Sequence, residues 1–589
     1  MGRDVTLRRA ACFLGCATAS VVVVSLALSS MHSPGPGGPP AWTVYHDDPA
    51  GGGVAAGVGS VDTAARAWTS PALDGQLYGE PLVFGGRVYV ATEDDIVYAL
   101  SAATGAIAWS ARLGTPVPAE RLPCSNINPV VGITGTPVID EARHEIFVVA
   151  EELKNGRPAH LLTGLNTGSG QVELSQDVDP PGQAPAGLLQ RTGLTLGDGR
   201  VYFGYGGNAE DCGMYRGRLA SVPESGGTPG FFTVDARPGD SQGAIWMGGA
   251  APAVGANGDL WVATGNGSVS SRRHAYDGSD SVLELSPSLR LLQFFAPADW
   301  RVDNSDDLDM ATEPVLLPDG QVILAGKSQV VYLLNGRHLG GIGKQQAKLS
   351  PVCATNIDGG STHAGMTVYL PCLNGIIAIK ATRSPPALHL LWSSGVGGGP
   401  PIMAGGLVWT IGQNGRLYGL GPATGKIRQQ AAIGTPANHF PTPGIGAGLM
   451  LVPSARKVIA FRTSAAGAAS PAAQRGRHYA APGPSGGRIA GIVLACLVAI
   501  GAFGWLAWLA RRQRRIHRID GRDGAVDKRI ADAPAPDRRM RNGKPGWPAS
   551  SDPLAPPRPL RWPGVSRPAM ACPIARAMAS PLADLSATP

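Results

Sequence analysis

Five residues, Asp211-Cys212-Gly213-Met214-Tyr215, bring an acid, a thiol and a phenol together. Trp246, in GAIWMGG, offers a face on which a flat ligand can stack. Asn304, Asp306, Asp307 and Asp309 form an acidic stretch whose oxygens suit calcium, although their spacing is not that of an EF-hand. Each has a plainer reading: a stapled loop, blade packing, and solvated Asp residues opening a turn. We take Trp246, Asp211 and Tyr215 as candidate ligand-binding residues and Asp307 and Asp309 as candidate metal ligands. Cys124-Ser125-Asn126-Ile127-Asn128 is a further polar stretch before a strand. Catalytic signals are thin: no His-x-His or His-Glu-x-x-His occurs. Thr264-Gly265-Asn266-Gly267 lacks the Lys-Ser/Thr of a phosphate loop and reads as a β-turn.

The elements that must position these residues are short strands. In Gly86–Trp109, two apolar runs (88–91 and 96–100) flank the acidic break Thr92-Glu93-Asp94-Asp95. A Thr-Gly turn at Thr104-Gly105 and a third strand ending at Trp109 follow. Strand runs of this kind recur, starting at Val88, Ile146, Val201, Leu260, Val322, Val368, Val408 and Met450, with spacings of 58, 55, 59, 62, 46, 40 and 42 residues. Eight period-2 repeats with no clear helical stretch point to an all-β, eight-bladed β-propeller, with seven blades as the alternative. The last run stops at Phe461 without a following strand. Ala67-Trp68-Thr69 would supply the missing outer strand and close the ring.

The flanks differ in kind. Arg3, Arg8 and Arg9 precede an apolar run from Ala10 to Leu28, so residues 1–30 read as a signal peptide or signal anchor, with 31–41 a linker. The propeller spans 42–461, and a Pro/Gly/Ala-rich stalk spans 462–487. Within 488–510, Ile489–Ala510 carries no charge and is long enough to cross a bilayer. Residues 511–589 form a basic, disordered tail holding 16 Lys/Arg against 7 Asp/Glu. Because the whole chain is +7, the remainder is near neutral, which argues against nucleic-acid binding. Five arginines at 511–518 place the tail in the cytoplasm and the propeller outside it. The four cysteines of the outside portion then imply two disulfides, preferred as Cys353–Cys372 and Cys124–Cys212.

The repeats VYVATEDDIVYALSAATGAIAW and LVWTIGQNGRLYGLGPATGKI resemble the PQQ-like repeat of the quinoprotein propeller superfamily. So do INPVVGITGTPVID, GDGRVYFGYGG with DCGMYRG, and GDLWVATGNGS with DSVLELSPSLR. The resemblance covers Trp42 to Phe461 and implies the fold. For function it implies two subgroups. Quinoprotein alcohol dehydrogenases hold PQQ and calcium, with an Asp as catalytic base and a disulfide between adjacent cysteines over the cofactor. Envelope scaffolds similar to the outer-membrane assembly lipoprotein bind partner proteins and no cofactor. This chain has no Cys-Cys dipeptide, and no residues are matched to the calcium carboxylates or the base. The expectation is therefore a membrane-anchored, extracytoplasmic binding or scaffold module, whose partner is an envelope protein or a small ligand at a propeller mouth. A PQQ-dependent oxidoreductase is the alternative and a transmembrane sensor the second alternative.

Overall fold

A computed structural model describes residues 41–466 except 270, 272 and 273. The expected ring is present, with eight blades and not seven. Blade 1 runs from axis to rim through Leu82–Phe84, Arg87–Thr92, Ile96–Ser101 and Ile107–Arg112, all antiparallel. Blade 2 (138–177), blade 6 (362–394) and blade 7 (402–432) repeat this four-strand order, and blade 5 (315–349) also has four strands. Blade 4 gains a fifth strand, where Gly341–Ile342 pairs in parallel beyond Leu291–Ala296. In blade 3 the innermost strand is split into Leu188–Gln190 and Thr195–Gly197, which pair with one neighbour on either side of a break at 191–194.

Burial explains the sequence pattern. The two middle strands of blade 1 are covered on both faces by the adjoining blades, so they are apolar nearly throughout. The rim strand Ile107–Arg112 has one covered face and alternates. The same alternation appears in the rim strands Val172–Asp177 and Ile427–Ala432.

The ring closes through Val58–Thr69, the rim strand of blade 8, which pairs with Lys457–Ala465 and places Trp68 opposite Ala460. The closing strand is longer than Ala67-Trp68-Thr69, and its partner continues beyond Phe461 to Ala465, where bulges absorb the irregular register.

One interlock recurs between blades. Trp68 of blade 8 lies on the turn of blade 1, where its indole N–H donates to the Ala102 carbonyl at 2.8 Å. Gly105 in that turn has φ +72°, and a Cβ there would stand 2.4 Å from the Trp68 ring. Trp109 on Gly170 and Trp392 on Gly425 repeat both features, with their N–H groups donating to Thr167 and Pro422 carbonyls at 3.0 and 2.8 Å.

Two features lie outside the period-2 pattern. Trp300–Asp306 is a short α-helix, so the acidic stretch begins as helix rather than loop, and Asp307 ends it in the left-handed conformation. Residues 41–57 run along the axial edges of the innermost strands and plug the channel. Trp42 N–H donates to Val83 O, Ile139 N–H to Thr43 O, Val254 N–H to Pro49 O and Ala55 N–H to Met403 O. Thr362 Oγ1 donates to Gly52 O at 2.8 Å. These bonds satisfy edge groups that the ring alone would leave open at its centre.

Both expected disulfides form, Cys124–Cys212 with Cα atoms 6.2 Å apart and Cys353–Cys372 with Cα atoms 6.0 Å apart. Among the described residues no helix is long and apolar enough to cross a membrane. The runs at 10–28 and 489–510 and the tail lie outside the described residues.

Gly105→Ala tests the interlock, because the added methyl meets both the wrong φ and the Trp68 ring. It should destabilise by more than about 1 kcal/mol. Trp68→Ala should cost about 3–5 kcal/mol. Both are read from urea midpoints of the full chain, and a neutral Gly105→Ala would refute the interlock as a stabilising contact.

Candidate functional site

The break in the innermost strand of blade 3, the links entering blades 4, 5, 6 and 8, and the loops after the second strands of blades 3 and 5 converge at the axis. They enclose a cavity of about 190 Å³ at the end of the channel away from the plug. A void of about 10 Å³, room for one water, lies between the cavity and the plug. Tyr45 of the plug and Glu80 line the void, and Arg191 and Phe440 line both spaces.

Trp246 stands in the cavity wall, as its candidacy requires. Its indole N–H donates to Gly207 O at 3.0 Å, and its ring covers Gly206, where a Cβ would meet the indole nitrogen at 1.9 Å. Lys327, also in the wall, holds its ammonium 5.9 Å from the Trp246 ring centre. Asp211 and Tyr215 do not line the cavity. Tyr215 is fully buried in the blade 2–3 core, and its hydroxyl donates to Asp211. Their contribution is to shape the loop that the Cys124–Cys212 bond ties to the segment carrying Asn126, which does reach the wall.

Asp307 and Asp309 come together, and what they hold is Lys327. Its Nζ is 3.1 Å from Asp307 Oδ1 and in direct contact with Asp309 Oδ2. The rest of the acidic stretch is knotted to the Asn266-Gly267 turn. Asn266 N–H donates to Asp309 Oδ1 at 2.7 Å, Asn266 Nδ2 to Asp307 Oδ1 at 2.7 Å, and Gly267 N–H to Asn304 Oδ1 at 2.7 Å. Asp306 is exposed on the helix. Burial pushes the Asp309 carboxyl up, and Lys327 opposes that shift. Burial disfavours the Lys327 ammonium as well, but Asp309 and Asp307 outweigh it and keep the ammonium charged. A calcium ion at these carboxylates would have to displace a covalently tethered cation. Among the described residues no group of three or more His, Cys, Asp or Glu side chains is arranged to hold a metal ion.

Sequence reasoning missed Arg191, Lys327, Asp358, His439 and Phe440. Asp358 Oδ2 lies 3.4 Å from His439 Nε2, and the Arg191 guanidinium stacks 3.7 Å above the Phe440 ring. The available signal was a lone charge set between apolar residues where a strand approaches the axis, as in Leu188-Leu189-Gln190-Arg191-Thr192-Gly193-Leu194.

The plug supplies a second polar cluster. Burial drives the His46 imidazole down to about 3, so it is neutral, and its Nδ1 donates to Ser361 O at 3.0 Å. Burial pushes Glu80 and Glu313 well above the usual carboxylate range. They accept the His46 and Ser361 backbone N–H groups at 2.7 and 2.8 Å. With its imidazole neutral, His46 forms no ion pair with Glu313, 3.9 Å away.

Ring, closure and axial cavity define the class: the chain is an eight-bladed β-propeller. Residues 51–229 match the family model described as outer membrane protein assembly factor BamB. Among solved structures, the chain is similar to quinohemoprotein alcohol dehydrogenase ADHIIG from Pseudomonas putida HK5, at TM-score 0.54 and 13% identity over 76% of this chain and 82% of that one. It is also similar to a europium-containing methanol dehydrogenase, at 0.53 and 14% over 72% and 98%. BamB from Moraxella catarrhalis aligns at 0.43 and 13% over 71% and 100%. At these identities the likeness is one of fold. No curated protein matches the chain in sequence.

Lys327→Ala strands the Asp309 carboxylate in a buried site. It should cost about 3–5 kcal/mol, and adding Asp309→Asn should recover part of the loss. Full additivity of the two changes in urea titrations would refute the pairing.

Asp211 gives a pH prediction. Burial, with Asp309 adding to it, raises its carboxyl to about 6. Between the ordinary carboxylate value and about 6 the folded chain binds the extra proton, so stability falls as pH rises through that window. Asp211→Asn should flatten the pH dependence of Tm there, and an unchanged slope would refute the assignment.

Proposed function

We propose that the chain is a membrane-anchored binding or scaffold module of the cell envelope, with its propeller outside the cytoplasm and its basic tail inside. The observation that carries this reading is the asymmetry of the axis. One end is filled by residues 41–57, and the other opens into a walled cavity. A propeller with one usable mouth presents one binding place, for a small ligand in the cavity or for a partner protein over its rim. Two disulfides support an oxidising compartment.

The alternative, a PQQ-dependent oxidoreductase, is favoured by one observation: Trp246 stands in the wall, with a carboxylate, Asp358, in the same wall. Three features weigh against it. At about 190 Å³ the cavity is below the range of roughly 300–1,000 Å³ usual for larger cofactor-sized ligands. The disulfide near the rim joins cysteines 88 residues apart, and Lys327 already holds the two carboxylates proposed for calcium.

Purified full-length chain, given saturating PQQ and calcium, should reduce no dye with alcohols or sugars. Turnover under those conditions would establish the oxidoreductase instead. In intact cells a membrane-impermeant maleimide should leave Cys572 unlabelled until the membrane is permeabilised, and labelling from outside would overturn the orientation.

A further inference from the structure

Arg191 is a buried cation that borders the cavity and that the fold leaves without a contact of opposite charge. It is 8% exposed, yet its guanidinium has no hydrogen-bond or ion-pair partner among the described residues. A guanidinium carries five N–H donors and keeps its charge, and a buried charge without a partner is strongly disfavoured. Burial lowers the Arg191 pKa, and Asp358, Tyr78 and Glu93 oppose that shift only at a distance. One face of the guanidinium plane is covered by Phe440 at 3.7 Å, while the side chain borders both the cavity and the one-water void below it.

The other cation of the cavity wall is held by carboxylates. Lys327 is held by Asp307 and Asp309, and Asp358 is within 3.4 Å of His439. Of the two cations in the wall, Arg191 is the one that no carboxylate contacts, and Asp358 acts on it only at a distance. We infer that the cavity is a receptor site for a small planar monocarboxylate, whose carboxylate engages Arg191 and whose body lies toward Trp246.

Three physical features select this class. A guanidinium fork matches a carboxylate in bidentate geometry. One guanidinium fork receives one carboxylate, where the PQQ tricarboxylate brings three. A cavity of about 190 Å³ suits a single ring better than three fused ones. Asn126 and Asn208 in the wall can meet polar substituents on that ring. The inference deepens the small-ligand branch of the proposed function and rests on it.

The test uses the full-length chain in detergent, with sodium benzoate as the probe and uncharged benzamide as its isostere. Benzoate should raise Tm saturably, and benzamide should leave it unchanged. Arg191→Gln should abolish the benzoate shift while its ligand-free Tm stays close to that of the parent, because the stack on Phe440 is lost but no hydrogen bond or ion pair is. Arg191→Lys keeps the charge without the fork and should raise the half-saturating benzoate concentration at least tenfold. Three results would overturn the site: no benzoate shift, equal shifts from benzoate and benzamide, or a shift that survives Arg191→Gln. A ligand-free Tm several degrees lower in both variants would make Arg191 a structural residue instead. None of these outcomes bears on dye reduction or Cys572 labelling, so the envelope reading stands or falls separately.

Discussion

Each blade of this ring has two apolar faces and cannot bury either alone, so everything depends on how one blade grips the next. The grip is a donor from one blade reaching a turn carbonyl of its neighbour. At the 8–1, 1–2 and 6–7 interfaces the donor is a rim Trp lying on a turn Gly. At 3–4 the Tyr202 hydroxyl donates to Pro287 O at 3.0 Å, and at 4–5 Gln293 Nε2 donates to Gly336 O at 2.8 Å. The acceptor is constant, a carbonyl in the turn before the rim strand, while the donor varies. Because Gly at the Trp interfaces is set by φ and by van der Waals distance together, those interfaces tolerate little change. The Tyr and Gln interfaces leave more freedom.

That freedom is where the cavity is built. Arg191 lies in the split inner strand of blade 3, Trp246 in the link from blade 3 to 4, Lys327 in blade 5 and Asp358 in the link from blade 5 to 6. The long insertions 209–217 and 264–280 and the helix Trp300–Asp306 belong to the same sector. His439 and Phe440, from the link into blade 8, complete the wall from the regular side. The ring thus divides into a uniform sector that closes it and an irregular sector that furnishes the axis.

What was legible in the sequence follows the same division. Strand runs encode themselves locally through period-2 burial, so blade number, the Thr-Gly turns and the role of Trp68 could be read from spacing. The disulfide pairing was legible because four cysteines in one compartment leave few choices. The plug was not: WTVYHDDPAGGGVAAG has no strand period, because it pairs with the edges of many blades in turn instead of one partner. The cavity was only partly legible. Trp246 announces itself by type, whereas Arg191, Lys327 and His439 lie over a hundred residues apart and meet only once the ring has closed. Tyr215, chosen for its chemistry, proved to be core because Gly207 leaves room for its ring, and a Cβ there would stand 2.3 Å from it.

The axis shows how differently one chain can treat buried charge. In the plug, burial wins outright: His46 is neutral, Glu80 and Glu313 are pushed up from the usual carboxylate range, and one oxygen of each accepts a backbone N–H. Beside the cavity, Lys327 keeps its charge because two carboxylates hold it. Both solutions use groups that the fold itself supplies. Arg191 has neither, since a guanidinium does not shed its proton as His46 does, and no carboxylate approaches as Asp309 approaches Lys327. A residue whose desolvation is uncompensated in the ligand-free chain lowers stability unless something arrives to complete it. The cavity wall is where such a completing group can enter, and the sealed plug beneath means that it enters from one side only.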